Sequence, residues 1–200
     1  MNVLVASPGV PFRPVDAERS TAEAELVARL RDGEVAALGD AYELHHEHVR
    51  AFVRRFLGDD DAAEDLLQEA FLSLPRAIRG FREEASLRTF LLSLAVNHAR
   101  HHVRAAVRRR AAMGRHASEP PASPAGPESD ASRKQLATAL VRGLDRLSLE
   151  HRAVVVLCDV EERTSAEAAL VVGAPEATVR TRLFHARRNL REFLVAEGFR

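Results

Sequence analysis

Between Glu119 and Asp130 the chain reads Glu-Pro-Pro-Ala-Ser-Pro-Ala-Gly-Pro-Glu-Ser-Asp, with four prolines and one glycine. Proline removes backbone donors and breaks a helix interior, and the stretch has no large apolar side chain to bury. Residues 111–131 therefore read as a linker, and the rest must fold on either side of it. On both sides apolar residues recur at three- and four-residue steps, and no β-type alternation of useful length occurs. The expected fold is all-α: two small helical domains, 21–110 and 132–200, joined by a flexible Pro-rich linker. At 46% hydrophobic the chain can supply each unit with a core. Residues 1–20, with Pro8, Gly9, Pro11 and Pro14 and no periodicity, read as a flexible tail.

In the first unit, Ala22, Leu26 and Leu30 begin a helix that breaks at Asp32-Gly33. Leu38, Tyr42, His45, Val49, Phe52, Val53 and Phe56 then share one stripe up to Gly58. The next helix, expected from Asp61 to Leu74 and ending near Pro75, is unusually acidic. The eleven residues Asp59 to Glu69 hold six acids and no base. The helix dipole favours acids in the first turn, but Glu69 lies beyond it. Ala63, Leu66, Leu67, Ala70, Phe71 and Leu74 share one side and suit a core. Asp65, Gln68, Glu69 and Leu72 follow at helical steps along another. A solvated amphipathic helix and an acidic docking face for a basic partner both fit these residues; the flanking segments decide between them.

The basic residues are segregated. The 29 basic and 29 acidic residues cancel, yet Arg100 to Arg115 contains six arginines, two histidines and no carboxylate, and Arg180 to Arg191 five arginines and no acid. Two basic patches and one acidic one suit a chain that touches both nucleic acid and protein. The first patch ends a long helix opened by Ser86 as N-cap and buried through Leu87, Phe90, Leu91, Leu94, Ala95, His98 and Ala99. Ser86, Arg88, Thr89, Phe90, Asn97 and Arg100 offer ring, amide and guanidinium groups. Such groups capture single-stranded bases by stacking, edge hydrogen bonds and phosphate neutralisation. The alternative is a core Phe90 followed by a solvated basic helix end.

The second unit opens with Leu136, Ala139, Leu140, Leu144 and Leu147; Ser148 caps a short apolar helix reaching about Val160. Thr164-Ser-Ala-Glu167 fits a capping box, Gly173 ends that helix, and Pro175 suits the first position of the next. Two helices joined by Gly173-Ala174, the second rich in arginine, form a helix-turn-helix pattern. Its N-terminal residues would enter the major groove while arginines anchor phosphates. Thr178, Arg180, Thr181, Phe184 and His185 are placed for base edges or sugars, with Arg187, Arg188 and Arg191 further along. A basic helix in an ordinary bundle is the competing account.

Other chemistry finds little support. Cys158, the only cysteine, closes the apolar run from Ala153 and reads as a small buried hydrophobe. His45, His46, His48, His101 and His102 lack a carboxylate or cysteine at metal-ligand spacing, so no metal or other cofactor is expected. No nucleophile motif or phosphate-binding glycine loop is present, so no enzymatic activity is expected. Val3-Leu4-Val5-Ala6 is too short for a secretory segment, and no apolar run approaches the ~20 residues of a membrane span. A cytoplasmic protein without membrane insertion is expected.

Taken in order, these motifs resemble the sigma-70 family of RNA polymerase sigma factors, in its small extracytoplasmic-function (ECF) group. Asp61-Ala-Ala-Glu-Asp-Leu-Leu-Gln-Glu-Ala-Phe-Leu72 is similar to region 2.2, which docks on the β′ clamp helices of core polymerase. That likeness implies Asp61, Glu64, Asp65, Gln68, Glu69 and Leu72 as polymerase-binding residues. Phe81-Arg82 through Ser86–Asn97 resembles regions 2.3 and 2.4, which melt and read the −10 element. It implies Ser86, Arg88, Phe90, Asn97, Arg100 and Arg104 as −10 contacts. Leu147–Leu157 and Thr178–Leu190 look like region 4, which reads the −35 element and touches the β flap. Thr178, Arg180, Thr181, Phe184, His185 and Arg188 are the implied −35 contacts. The linker corresponds to the segment threading toward the active-site and RNA-exit channels, and the family implies an anti-sigma factor as a further partner besides promoter DNA. Departures are Phe90 and Pro75 where tryptophan is usual, Val96 and His101 for an arginine and an aspartate around Asn97, and Ala168 and Ala177 for isoleucine and glycine. The alternative function is a stand-alone helix-turn-helix regulator, which would leave the acidic helix and residues 86–110 without a role.

Overall fold

The computed structural model describes residues 17–113 and 131–199, with side chains at 21–104 and 135–199. Most of the tail, nearly all of the linker, and the side chains of Arg108, Arg109 and Arg110 lie outside that range. The described residues are helical without a strand. Helices α1 (Ala17–Arg31), α2 (Val35–Leu57), α3 (Asp60–Ala77) and α4 (Leu87–Met113) form the first unit. Helices α5 (Ala131–Asp145), α6 (Leu149–Val155), α7 (Ser165–Val172) and α8 (Glu176–Ala196) form the second.

The helix boundaries follow local chemistry. Gly58, at φ 72°, ends α2 in the left-handed conformation. Asp59 caps α3 by accepting from the Ala62 N–H at 3.0 Å. That helix passes through Pro75 rather than ending there, and a 3-10 turn over Ile78–Gly80 finishes it. Proline's φ suits a helix, and the exposed ring sits between the buried anchors Leu74 and Ile78, which hold the last turn in place. Ser86 precedes α4 and accepts from the Thr89 N–H at 3.2 Å, as expected of an N-cap. Thr164 and Glu167 make the reciprocal capping box. Pro175, expected as the first helical residue of α8, stands one position earlier, extended at ψ 144°, with the helix starting at Glu176.

The two units do not keep separate cores: their buried residues form one contiguous cluster. The reason lies in α6. Ala153, Val154 and Val155 of α6 and Val156 and Leu157 just beyond it are consecutive and all buried, so this run is apolar on every side and α8 alone cannot cover it. It packs on α8 with one side and on α2 with another, while α7 lies along α4. Leu157 lies within a π-helical widening of the chain over Val156–Val160 that follows α6.

Candidate functional site

Three surface stripes carry most of the residues singled out above. On α3, Asp61, Asp65, Gln68 and Leu72 succeed one another at steps of four, three and four, so they align along one face. All four are exposed, and Leu72 is 75% exposed despite being apolar. The other acids are engaged locally. Asp59 is the cap, Asp60 pairs with Arg54 at 2.7 Å, and Glu64 with Arg50 at 2.9 Å. Glu69 accepts from His102 Nε2 at 2.8 Å and lies 3.4 Å from His98 Nδ1. Burial holds the His98 pKa below its ordinary value, although Glu69 pulls it up. Among the described residues, Asp61 and Asp65 are the two acids of this run with neither an ionic partner nor a capping role. The face is thus a stripe of two unpaired carboxylates, an amide and a bare leucine, flanked by a paired glutamate on each side.

The second stripe runs along α4. Ser86, Phe90, Ser93, Asn97, Arg100 and Arg104 follow at steps of four, three, four, three and four. Phe90 is half-buried against Phe81, ring centroids 4.7 Å apart, so its ring is held by packing with one part open to solvent. Asn97 and Arg104 are exposed, and Asn97 Oδ1 accepts from Arg100 Nη1 at 3.2 Å. Arg88 is not on this stripe. It is half-buried and close enough to His45 of α2 to help depress that histidine's pKa. Ser93, whose hydroxyl donates to the Phe90 carbonyl at 2.7 Å, completes the line. A mid-helix serine carries neither charge nor ring, and only its spacing marks it.

The third stripe is the outer face of α8. Val179, Leu183 and Ala186 are buried, which turns Arg180, Thr181, Phe184 and Arg188 outward. Phe184 is 65% exposed, its ring edge-on to His185 at 5.5 Å. Among the described residues, Arg180 and Arg188 pair only with i,i+4 neighbours, Glu176 at 3.5 Å and Glu192 at 3.7 Å, which solvent screens. Thr178 and His185 sit on the flank facing α6, lining a recess with His151, Thr181 and Arg182. Burial, then the Arg182 and His185 charges, holds His151 below the usual histidine pKa. An exposed aromatic beside guanidinium groups on a helix after a tight turn suits duplex DNA: apolar contact to a thymine methyl and charge to phosphates.

Two residues that sequence reasoning passed over join the stripes. Glu150 of α6 receives a bidentate pair from Arg100 of α4, both contacts 2.8 Å, and a third contact from Arg182 of α8 at 2.9 Å. Burial alone would raise its pKa; the Arg100 hydrogen bonds and the charges of Arg100, Arg182 and Arg104 outweigh that and hold it below the usual carboxylate range. Arg182 was visible only as one of five arginines, and Glu150 as one acid after a cap. Their pairing joins residues 50 and 32 apart, which no local pattern encodes.

Two family models match the chain. The model described as Sigma-70 region 2 matches residues 41–109, and that described as Sigma-70, region 4 matches 137–190. The chain is 31% identical over 178 residues to the ECF RNA polymerase sigma factor SigM of Mycobacterium tuberculosis, covering 88% of this chain and 86% of that one. It is 32% identical over 167 residues to the RNA polymerase sigma factor CarQ of Myxococcus xanthus, covering 83% and 94%. Its fold is similar to the sigma factor RpoE of Bartonella quintana, solved with the anti-sigma factor NepR, at a TM-score of 0.62, 22% identity and coverage of 80% and 98%. CnrH, solved with the cytosolic domain of CnrY, gives 0.60 at 23% identity, covering 88% and 98%.

Proposed function

The chain belongs to the ECF group of sigma-70 family RNA polymerase sigma factors, and from that premise we propose which of its surfaces perform initiation. A factor of this family binds core RNA polymerase and directs it to specific promoters. In our reading, the α3 stripe Asp61–Asp65–Gln68–Leu72 docks on the β′ clamp helices, with Glu64 and Glu69 at its margins. The observation that carries this is the combination on one face of two unpartnered carboxylates and an exposed leucine, in a helix whose other acids are all paired. Charge steers a basic partner to such a face, and the leucine supplies the apolar anchor that interfaces require.

The α4 stripe is the −10 reader. A flipped base stacks on the Phe90 ring, Asn97 offers an amide to a base edge, and Arg100 and Arg104 neutralise the strand's phosphates. Ser86 and Arg88 act less directly: the first fixes the start of α4, and the second lies toward α2. The α8 stripe reads the −35 duplex, with Arg180, Thr181 and Phe184 in the major groove, Thr178 and His185 at its edge and Arg188 on phosphate. The β flap would meet the second unit away from α8's outer face. The chain carries no catalysis of its own, and the polymerase supplies the chemistry. No described helix is long and apolar enough to cross a membrane, which suits work in the cytoplasm where core polymerase is. RpoE of Bartonella quintana was solved with the anti-sigma factor NepR, and a partner of that kind covering the same stripes is part of the proposal. A stand-alone helix-turn-helix regulator would leave the region 2 match and the α3 stripe without purpose.

The test is reconstitution. Sigma-free core polymerase is mixed with the purified chain and a template bearing the promoter of its own gene, and 5′ ends are mapped. Discrete transcripts that need the chain are expected; transcription unchanged by its addition refutes the assignment.

A further inference from the structure

Helices α4 and α8, which carry the second and third stripes, are tied to each other in this structure. Glu150 lies between the −10 reader and the −35 reader, and one carboxylate holds an arginine of each: Arg100 through two contacts at 2.8 Å and Arg182 through one at 2.9 Å. The pair is sheltered, with the Arg100 side chain only 16% exposed. Two further ties cross between the units on the far side of α6. Arg152 donates from Nη1 to the Leu57 and Phe56 carbonyls, at 3.0 and 3.4 Å, satisfying the open C-terminal end of α2. Arg55 reaches Glu161 at 2.6 Å.

We propose that Glu150 is an intramolecular clasp that occupies Arg100 and Arg182 in place of DNA phosphate, keeping the free protein closed until promoter DNA or polymerase pulls the units apart. The inference rests on the assignment of α4 and α8 as DNA readers. A carboxylate bidentate to one guanidinium and shared with a second reproduces the charge and fork geometry of a phosphate. Closing therefore removes two cations from the surface that must bind nucleic acid, and the closed population lowers apparent DNA affinity by the fraction of molecules that are open. The contiguous core beneath sets the limit on opening: α2 and α6, and α4 and α7, must also part. Breaking the clasp shifts this balance without abolishing it.

The experiment uses the full chain with Cys158→Ser and dyes on Glu47→Cys in α2 and Ala137→Cys in α5, both exposed positions outside the stripes. Energy transfer between the dyes reports closure. In parallel, binding of the unlabelled chain to a mixed-sequence forked duplex is measured over a salt series. Glu150→Gln keeps the shape of the side chain and removes the clasp charge. It is expected to lower transfer efficiency, to raise DNA affinity about tenfold, and to steepen the salt dependence by about two phosphate contacts, since two arginines are released. Glu43→Gln, an exposed change of equal charge on α2, controls for net charge alone and should leave transfer unchanged. If Glu150→Gln matches Glu43→Gln in both readouts, or opens the chain without an affinity gain, the clasp is refuted. Should Glu150→Gln lose its helical circular dichroism, Arg100→Gln replaces it in the distance measurement, and unchanged transfer there refutes the clasp equally. Neither readout requires core polymerase, so failure of the initiation assay and failure of the clasp are separate results.

Discussion

His45 shows how one side chain couples packing to pH. It is 7% exposed on the buried stripe of α2, and its Nε2 has no hydrogen-bond partner. Burial, helped by the Arg88 and His48 charges, pushes its pKa down to about 4. The unfolded chain therefore binds a proton on this histidine from about pH 6.5 downward, whereas the folded chain does so only near 4. Stability from this group is complete above about 6.5 and falls with pH down to about 4, at a slope of at most ~1.4 kcal/mol per unit. His45→Leu should flatten urea midpoints across that window; an unchanged slope would show that the acid sensitivity originates elsewhere. Arg152 is the matching case for a buried charge: burial lowers its pKa while Asp145, 3.0 Å away, supports the charged form. Arg152→Ala leaves the α2 carbonyls without their donor and should cost about 1–3 kcal/mol in chemical denaturation. A smaller loss would mean that water replaces the guanidinium there. Gly58, which ends α2, is locked beside this pair, since a Cβ would stand 3.1 Å from Asp145 Oδ1 and the φ of +72° already disfavours one.

At the scale of elements, the acidic helix divides into carboxylates that build the fold and carboxylates that face outward. Asp65→Arg reverses a free charge in the centre of the α3 stripe and is expected to weaken core-polymerase binding by at least tenfold with little change in helicity. Glu69→Arg first has to break the His98 and His102 contacts, so it should disturb stability as well as binding. Equal affinity for wild type and Asp65→Arg in a core-binding titration would move the docking site off this stripe. On α8, Arg180→Ala should cost about 1–3 kcal/mol at the −35 site and relax sequence preference at one position; a uniform loss across sequences would make Arg180 a phosphate contact instead.

These elements were legible from the sequence to unequal degrees. The 3.6-residue stripes, the Thr164–Glu167 box, the Ser86 and Ser148 caps and the stop at Gly58 are local codes, and each appears where its residues demand it. The end of α3 was misread because a proline near a helix terminus is tolerated when buried neighbours hold the turn. Arg88 was placed among base-reading residues by its type, but its position two residues from Ser86 turns it away from the stripe that Phe90 and Asn97 share.

At the scale of the whole molecule, the linker composition correctly indicated two helical units but concealed their association. The apolar run Ala153–Leu157 is the sequence trace of that association: a helix hydrophobic on all sides needs cover from more than its own small unit. Which partner covers it is a long-range fact, and so is the sharing of Glu150 between Arg100 and Arg182. In the proposed closed form, Glu150 holds one arginine of each reader helix, so the same side chains would serve for storage and for work. The proposed docking of the α3 stripe, by contrast, needs no opening, since Asp61, Asp65, Gln68 and Leu72 are exposed in this structure. Polymerase binding can therefore come first.

Run-off transcription by sigma-free core polymerase, on a template carrying the promoter of the protein's own gene, bears on all of this at once. The wild-type chain should produce a transcript with one discrete 5′ end, and Asp65→Arg at the same concentration should not. A wild-type chain that binds the duplex tightly yet yields no promoter-specific transcript would contradict the account.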